Sequence, residues 1–192
     1  MFLFLALALQ DASFQEKKLA DLPDGAVKAI VFATGGRSTA FVIDGKTVHF
    51  AGKPGEDCDS ISCLTISPDG KRVAYAGLRG FKHTVVLDGK ESPEYGGATG
   101  LVFSPDSKTL AYAARLKEAE KWFVVVGDKS GPTYALDAPV FSPDGRVGYA
   151  AVDQTAVHLI VGDQKVVSAP FGLDGPSYSP DGKILGYAMA AE

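Results

Sequence analysis

Four segments of this chain repeat one another. ISPDGKRVAYAG (66–77), FSPDSKTLAYAA (103–114), FSPDGRVGYAA (141–151) and YSPDGKILGYAM (178–189) place Ser-Pro-Asp triplets at Ser67, Ser104, Ser142 and Ser179. The period is 37 or 38 residues. Self-similarity at this spacing marks solenoids, propellers and arrays, in which each unit buries its apolar face against the next. A worn copy precedes them: FATGGRSTAF (32–41) aligns with FSPDSKTLAY without a gap, keeping Phe32 and Phe41 but not the Pro or the Asp.

The triplet is a turn signal. Pro fixes φ near the value wanted at the second position of a type I turn. Asp tolerates the conformation that follows and bonds back to local N–H groups. Gly then takes the left-handed conformation that closes a bulged hairpin. Ser107 stands in place of that Gly in the third copy, at an expected cost of about 1 kcal/mol. Each unit carries a second turn motif: FVIDGK (41–46), VVLDGK (85–90), VVVGDK (124–129) and LIVGDQK (159–165). An aromatic follows, at Phe50, Tyr95, Tyr134 and Phe171.

The segments between turns are short and rich in Val, Ile, Leu, Phe and Tyr, which predicts strands. Tyr75, Tyr112, Tyr149 and Tyr187 hold one equivalent place, with Phe41 in the worn copy, and Ala74, Ala111, Gly148 and Gly186 precede them. A large residue on one face and a tiny one on the other suits a sheet wedged between two neighbours. LKEAEKW (116–122) reads as a hairpin loop with charged tips.

About four strands per repeat, with no segment of helical period, predict an all-β fold: a β-propeller of about five four-stranded blades, alternatively four, or an incomplete ring. The outer strands of the last unit are expected from the N-terminal segment, in particular FVIDGKTVHF (41–50), or are missing. An array left open presents a sheet edge and calls for a homo-oligomer. The SPDGKxLAY pattern resembles the TolB-type, WD40-like β-propeller repeats of bacterial envelope and secreted proteins, over about residues 29–190. The resemblance implies the fold and is almost silent on activity, because such repeats serve as scaffolds, sensors and enzyme-attached domains. The Trp-Asp dipeptide usual in that family is absent; the lone Trp122 precedes a VVV strand.

The domain organisation expected is a secretory signal at 1–10, a linker or closing segment at 11–28, and the propeller at 29–192. MFLFLALALQ (1–10) is too short to span a bilayer as a helix and suits a signal h-region, with Ala6-Leu7-Ala8 as a small-x-small cleavage site. No Lys or Arg precedes the run, so Met1 could lie inside a longer signal; the alternative is an apolar N-terminal strand. The expected location is periplasmic or secreted. A formal net charge of −4 without a long block of one sign argues against nucleic-acid binding. The pair Cys58 and Cys63 suits a local disulfide in an exported protein, with free buried thiols as the alternative.

Candidate chemistry is sparse. Asp69, Asp106, Asp144 and Asp181, and likewise Asp44, Asp88, Asp128 and Asp163, occupy turn positions with their own structural reason, too dispersed for a calcium site or a glycosidase pair. His49, His83 and His158 lack a converging third ligand. There is no G-x-S-x-G and no phosphate loop, so no cofactor is expected. The loops GLRGFKH (77–83), ARLKEAEK (114–121) and AVDQTAV (151–157) vary most, and repeat insertions map to one face. Arg79, Lys82, His83, Arg115, Lys117 and Lys121 in two of them form an expected basic, partner-binding patch. The function expected is a non-enzymatic protein-interaction scaffold. The alternatives are a small-molecule or glycan binder, or a lyase-type enzyme, using the axial cavity, and a fragment of a longer propeller without independent activity.

Overall fold

A computed structural model describes residues 2–8, 14–21, 25–34, 38–118, 121–133, 138–153, 155–170 and 172–189. Every element among them is a β-strand. Strands β1 (Phe2–Ala8) and β2 (Phe14–Asp21) form an antiparallel hairpin of their own. The first four-stranded sheet holds β3 (Val27–Phe32), β4 (Thr39–Ile43), β5 (Thr47–Phe50) and β6 (Lys53–Pro54). The second holds β7 (Ser60–Ile66), β8 (Val73–Arg79), β9 (Lys82–Leu87) and β10 (Lys90–Glu91). The third holds β11 (Gly97–Phe103), β12 (Leu110–Arg115), β13 (Trp122–Val126) and β14 (Lys129–Thr133). The fourth holds β15 (Val140–Phe141), β16 (Val147–Val152), β17 (Val157–Val161) and β18 (Gln164–Ala169). A last sheet has only β19 (Leu173–Tyr178) and β20 (Leu185–Met189). In each sheet the strands follow in chain order and pair antiparallel, so each is one blade of a propeller.

One expectation needs correction. FVIDGKTVHF does not complete the last blade: it supplies β4 and β5 of the first sheet. Its Asp44-Gly45-Lys46 turn joins the second strand to the third there, whereas the equivalent motif in later blades joins the third to the fourth. The strands of the first sheet start at Val27, and β1 and β2 lie within residues 1–10 and 11–28.

The triplet builds the first hairpin of each blade by one repeated hydrogen-bond device. The N–H of Gly70, Ser107, Gly145 and Gly182 donates to the carbonyl of Ser67, Ser104, Ser142 and Ser179, at 2.8–2.9 Å. These four residues have φ of +73°, +65°, +87° and +70°, the left-handed region expected. The serine hydroxyl does the rest. Ser104 Oγ donates to Asp106 Oδ1 at 2.6 Å and accepts from Thr109 N at 2.9 Å, and the other three copies repeat both contacts. Ser67 and Ser142 are fully buried, so both groups are satisfied without water.

Packing between blades explains the Tyr and Ala alternation. Tyr75 joins a core with Val42 and Val48 of the blade before it, and Tyr149 one with Ala111 and Val124. Tyr112 packs with Ala74 and Val85, and its hydroxyl meets that of Tyr95 at 3.1 Å. Each tyrosine thus plugs the preceding blade. The fully buried Ala74 and Ala111 leave room for the plug of the following one. Burying an aromatic removes about 150–250 Å² from water, worth about 4 kcal/mol per plug before entropy. The Phe50 and Tyr95 rings take part in these cores, and Tyr95 also meets Phe123 edge-on at 5.9 Å; Tyr134 and Phe171 lie outside the described residues.

Candidate protein-interaction face

The turn between the second and third strands of each blade lies at one end of the sheets. In the second blade this tip is Gly80-Phe81, and in the third it begins at Leu116. Gly80 has φ +60°, and its N–H donates to Asp59 Oδ2 at 2.6 Å, which fixes the reversal. Phe81 projects from it with 95% of its surface exposed. Leu116, at the equivalent tip of the neighbouring blade, is 40% exposed. Between the two stands Glu94, bonded to Lys82 at 2.7 Å and to Lys117 at 2.5 Å. One carboxylate thereby ties the two tips together. The Lys117 and Lys82 ammonium groups hold the Glu94 carboxyl down at about 2.

Of the residues in the expected basic patch, Arg79, Lys82 and Lys117 are paired with acids. Arg79 pairs with Glu56 and Glu91 and donates to the Asp57 carbonyl at 2.8 Å. Lys82 and Lys117 share Glu94. Arg115 donates to the Gly96 carbonyl at 2.6 Å. Lys121 lies at the exposed end of the same hairpin, where its carbonyl accepts from Leu116 N at 3.1 Å. His83 is half-buried in β9, and its carbonyl accepts from Tyr95 N at 2.8 Å. The acids come from loops distant in sequence, so the charge balance emerges only in the fold. What stands exposed at the two tips is apolar: Phe81 at one and Leu116 at the other. The signal in the sequence for this residue is an aromatic between Gly80 and Lys82 at a hairpin tip, set among cations that draw attention from it.

The two cysteines do not meet. Cys58 is buried against Gly77, whose Cβ, were there one, would lie 2.8 Å from the thiol. Cys63 sits at a bulge in β7 with φ +54°, and its sulfur lies 3.6 Å from Thr99 Oγ1 of the next blade. Both are free thiols, and burial raises the Cys58 thiol above its usual value.

The fourth blade's tip is locked by a buried histidine. His158 has one ring nitrogen 2.8 Å from Ser168 Oγ and the other 2.7 Å from Asp153 Oδ2. Asp153 also takes Thr155 and Lys165, which lower its carboxyl far below the ordinary range, Thr155 foremost. The arrangement pins the turn at 153–156 to β17 and β18. His49 instead stacks on Phe41, centroids 5.2 Å apart. Among the described residues no group of three His, Cys, Asp or Glu is placed to hold a metal ion. The triplet aspartates are spent on their own turns, and Asp88 accepts from Arg72 Nε at 2.8 Å and Val73 N at 3.0 Å, at the neighbouring β7–β8 turn.

Clefts lie between blades among the described residues. One of about 820 Å³ runs between the second and third, with Val85, Leu87, Tyr95 and Phe123 as its apolar wall. One of about 380 Å³ runs between the first and second, beside Val48, Phe50 and Tyr75. The larger is lined mostly by third and fourth strands and the turns between them, the smaller also by Val73 and Tyr75 of β8.

No protein-family model matches this chain. No curated protein matches it in sequence. Solved structures do resemble it. The β-propeller domain of Myceliophteria thermophila Cps50 (Swd1) superposes with a TM-score of 0.50 at 14% identity, over 87% of this chain and 64% of that one. Kuenenia stuttgartiensis hydrazine synthase gives 0.51 at 17% identity, over 99% and 80%. TolB from Acinetobacter baumannii gives 0.50 at 14% identity, over 95% and 53%. The fold is therefore that of a β-propeller, as in these WD40-type and TolB structures. The chain spans about half the length of that TolB structure and under two thirds of the Swd1 domain. Among the described residues no helix is long and apolar enough to cross a membrane.

Proposed function

We propose that this chain is an exported, non-enzymatic protein-interaction module whose contact face is formed by the tips of the second and third blades. The observation that carries this reading is Phe81, 95% exposed on a tip fixed by a hydrogen bond. A large aromatic held in water gains its burial energy only when a partner covers it, and aromatics dominate the binding energy of protein interfaces. The salt-bridged Lys82, Glu94 and Lys117 beside it make a polar rim, the usual surround of such an anchor. The blades behind give the face rigidity. Export is supported by the apolar run at 1–10 and its small-x-small site.

The test is a Phe81→Ser, Leu116→Ser double variant, immobilised beside the wild type and exposed to an extract of the native host. The variant should keep the wild-type circular dichroism and lose about tenfold or more in retention of a discrete protein species. Equal retention by the two chains would count against the reading.

A further inference from the structure

We infer that Ser168 is an acylation site: its hydroxyl, backed by His158 and Asp153, is set to take the acyl group of a small activated carboxylic ester. A carboxylate only accepts hydrogen bonds, so the 2.7 Å contact between Asp153 Oδ2 and His158 Nε2 places a proton on Nε2. That carboxyl is ionised at neutral pH, lowered by Thr155 first and then by His158 and Lys165. In the neutral ring Nδ1 is then the acceptor, and Ser168 Oγ, 2.8 Å away, donates to it. Either ring nitrogen can serve as a base, and the partner of the other decides which one does. A hydroxyl bonded to a base that a third group orients is the arrangement that activates serine for acyl transfer. Burial suits the roles: His158 is 7% exposed, while Ser168 is open to solvent.

The strand register brings the two side chains together and sets a donor beside them. His158 and Ser168 face one another across β17 and β18. Asp153 N donates to the Ala156 carbonyl at 3.0 Å, and Gly162 N to the Val147 carbonyl at 2.7 Å. Bonding direction alternates along a strand, so the backbone groups of His158, which lies between Ala156 and Gly162 in step with both, turn towards β16. His158 and Ser168 are therefore a non-hydrogen-bonded pair, the kind in which opposite side chains lie closest. The N–H of Ser168 then points away from β17, on the outer side of β18, where no described strand pairs with it. This donor, on the nucleophile's own residue, can hold the negative oxygen that develops on an attacked carbonyl. In the transfer the Oγ–C bond forms, and the C–O bond to the leaving alcohol breaks with its electron pair. The proton passes from Oγ to His158 Nδ1 and on to the departing alkoxide, leaving an O-acylserine and one alcohol. The site lies on the fourth blade, so the inference rests neither on the Phe81 face nor on a partner there.

The experiment treats the full chain with diisopropyl fluorophosphate, whose serine adduct is stable. The Oγ–P bond forms, fluoride leaves with its electron pair, and the proton goes to His158 Nδ1. Peptide mapping by mass spectrometry should place the adduct on Ser168, with about tenfold less or lower on Ser130. Ser130 is an exposed serine of the outermost strand β14 that faces Val125 instead of an imidazole, and the comparison needs no variant. Asp153→Asn then tests the orienting group. Its side-chain oxygen keeps the bonds from Thr155 N and Ala156 N, so the circular dichroism should be unchanged. Its amide N–H now donates to Nε2, which moves the ring proton to Nδ1 and turns the Ser168 hydroxyl away from it. Labelling of Ser168 should slow by about tenfold or more. A role confined to pinning the turn would leave the rate unchanged. The acyl transfer itself is read with p-nitrophenyl acetate, which should give a burst of p-nitrophenolate that Ser168→Ala abolishes. Equal labelling of Ser168 and Ser130, or none at Ser168, overturns the inference. So does a wild-type rate in Asp153→Asn, or a burst that survives Ser168→Ala.

Discussion

Ser107 Oγ accepts a hydrogen bond from the backbone N–H of Asp69 at 3.0 Å, across the seam between the second and third blades. Ser107 holds the left-handed position that glycine fills in the other triplet turns, at φ +65°. The strain there is offset by a contact glycine could not make. Two variants separate the terms. Ser107→Gly relieves the strain and loses the bond, and should shift stability by about 1 kcal/mol or less. Ser107→Ala keeps the strain and leaves Asp69 N without its partner, and should cost about 1–3 kcal/mol. Urea unfolding checks the order; Ala equal to or better than Gly would show that the bond contributes nothing.

The buried cores should tolerate neither loss nor gain of volume. Leu159 is fully buried in the fourth blade, and Leu159→Ala should cost about 2–5 kcal/mol through the cavity it leaves. Ala111, fully buried beneath Tyr149, has no room to grow, and Ala111→Leu should cost about 1–3 kcal/mol by overpacking. Both are read as midpoint shifts in denaturant.

Acid should destabilise the protein in a defined window. Asp144 is held down at about 2 by the Ser142 hydroxyl and then by Arg146, and Glu94 at about 2 by Lys117 and Lys82. Asp69, Asp106 and Asp181 are lowered in the same way by their triplet serines. A carboxyl depressed in the folded state contributes stability that is fully present above its unfolded value. That contribution is lost as pH falls through the folded value. The melting temperature should therefore fall from about pH 4.5 towards pH 2. These carboxyls are exposed, so each contributes modestly. Ser142→Ala should lower the melting temperature at neutral pH and flatten its decline in acid. A melting temperature that rises on acidification would contradict the assignment.

The thiols should behave unequally. Cys58 is buried and its thiol raised, so it should resist alkylation in the folded protein, while Cys63 reacts. Mass spectrometry after native labelling should show one adduct, at Cys63. An unlabelled chain that takes up label at both cysteines only after reduction would reveal a disulfide instead.

The local half of this fold was legible in the sequence. Pro and Asp announce the turns, and the Tyr and Ala alternation announces a sheet wedged on both sides, because both signals depend on neighbours in the chain. The rest depends on contacts between blades. Ser107 looked like a tolerated defect, since its partner Asp69 lies one repeat away. Arg79, Lys82 and Lys117 looked like a basic patch, since Glu56, Glu91 and Glu94 reach them from other loops. Cys58 and Cys63 looked paired, since only the bulge at Cys63 turns its thiol towards Thr99. Phe81 lay in plain view and was outweighed by the cations around it.

The measurement that bears most directly on the interaction face is photo-crosslinking in the native host. A benzophenone amino acid replaces Phe81 in one chain and Val166, 47% exposed on the outer strand β18, in another. The account predicts adducts of discrete protein mass from position 81 and none from 166. No adduct from 81, or the same adducts from both positions, would contradict it.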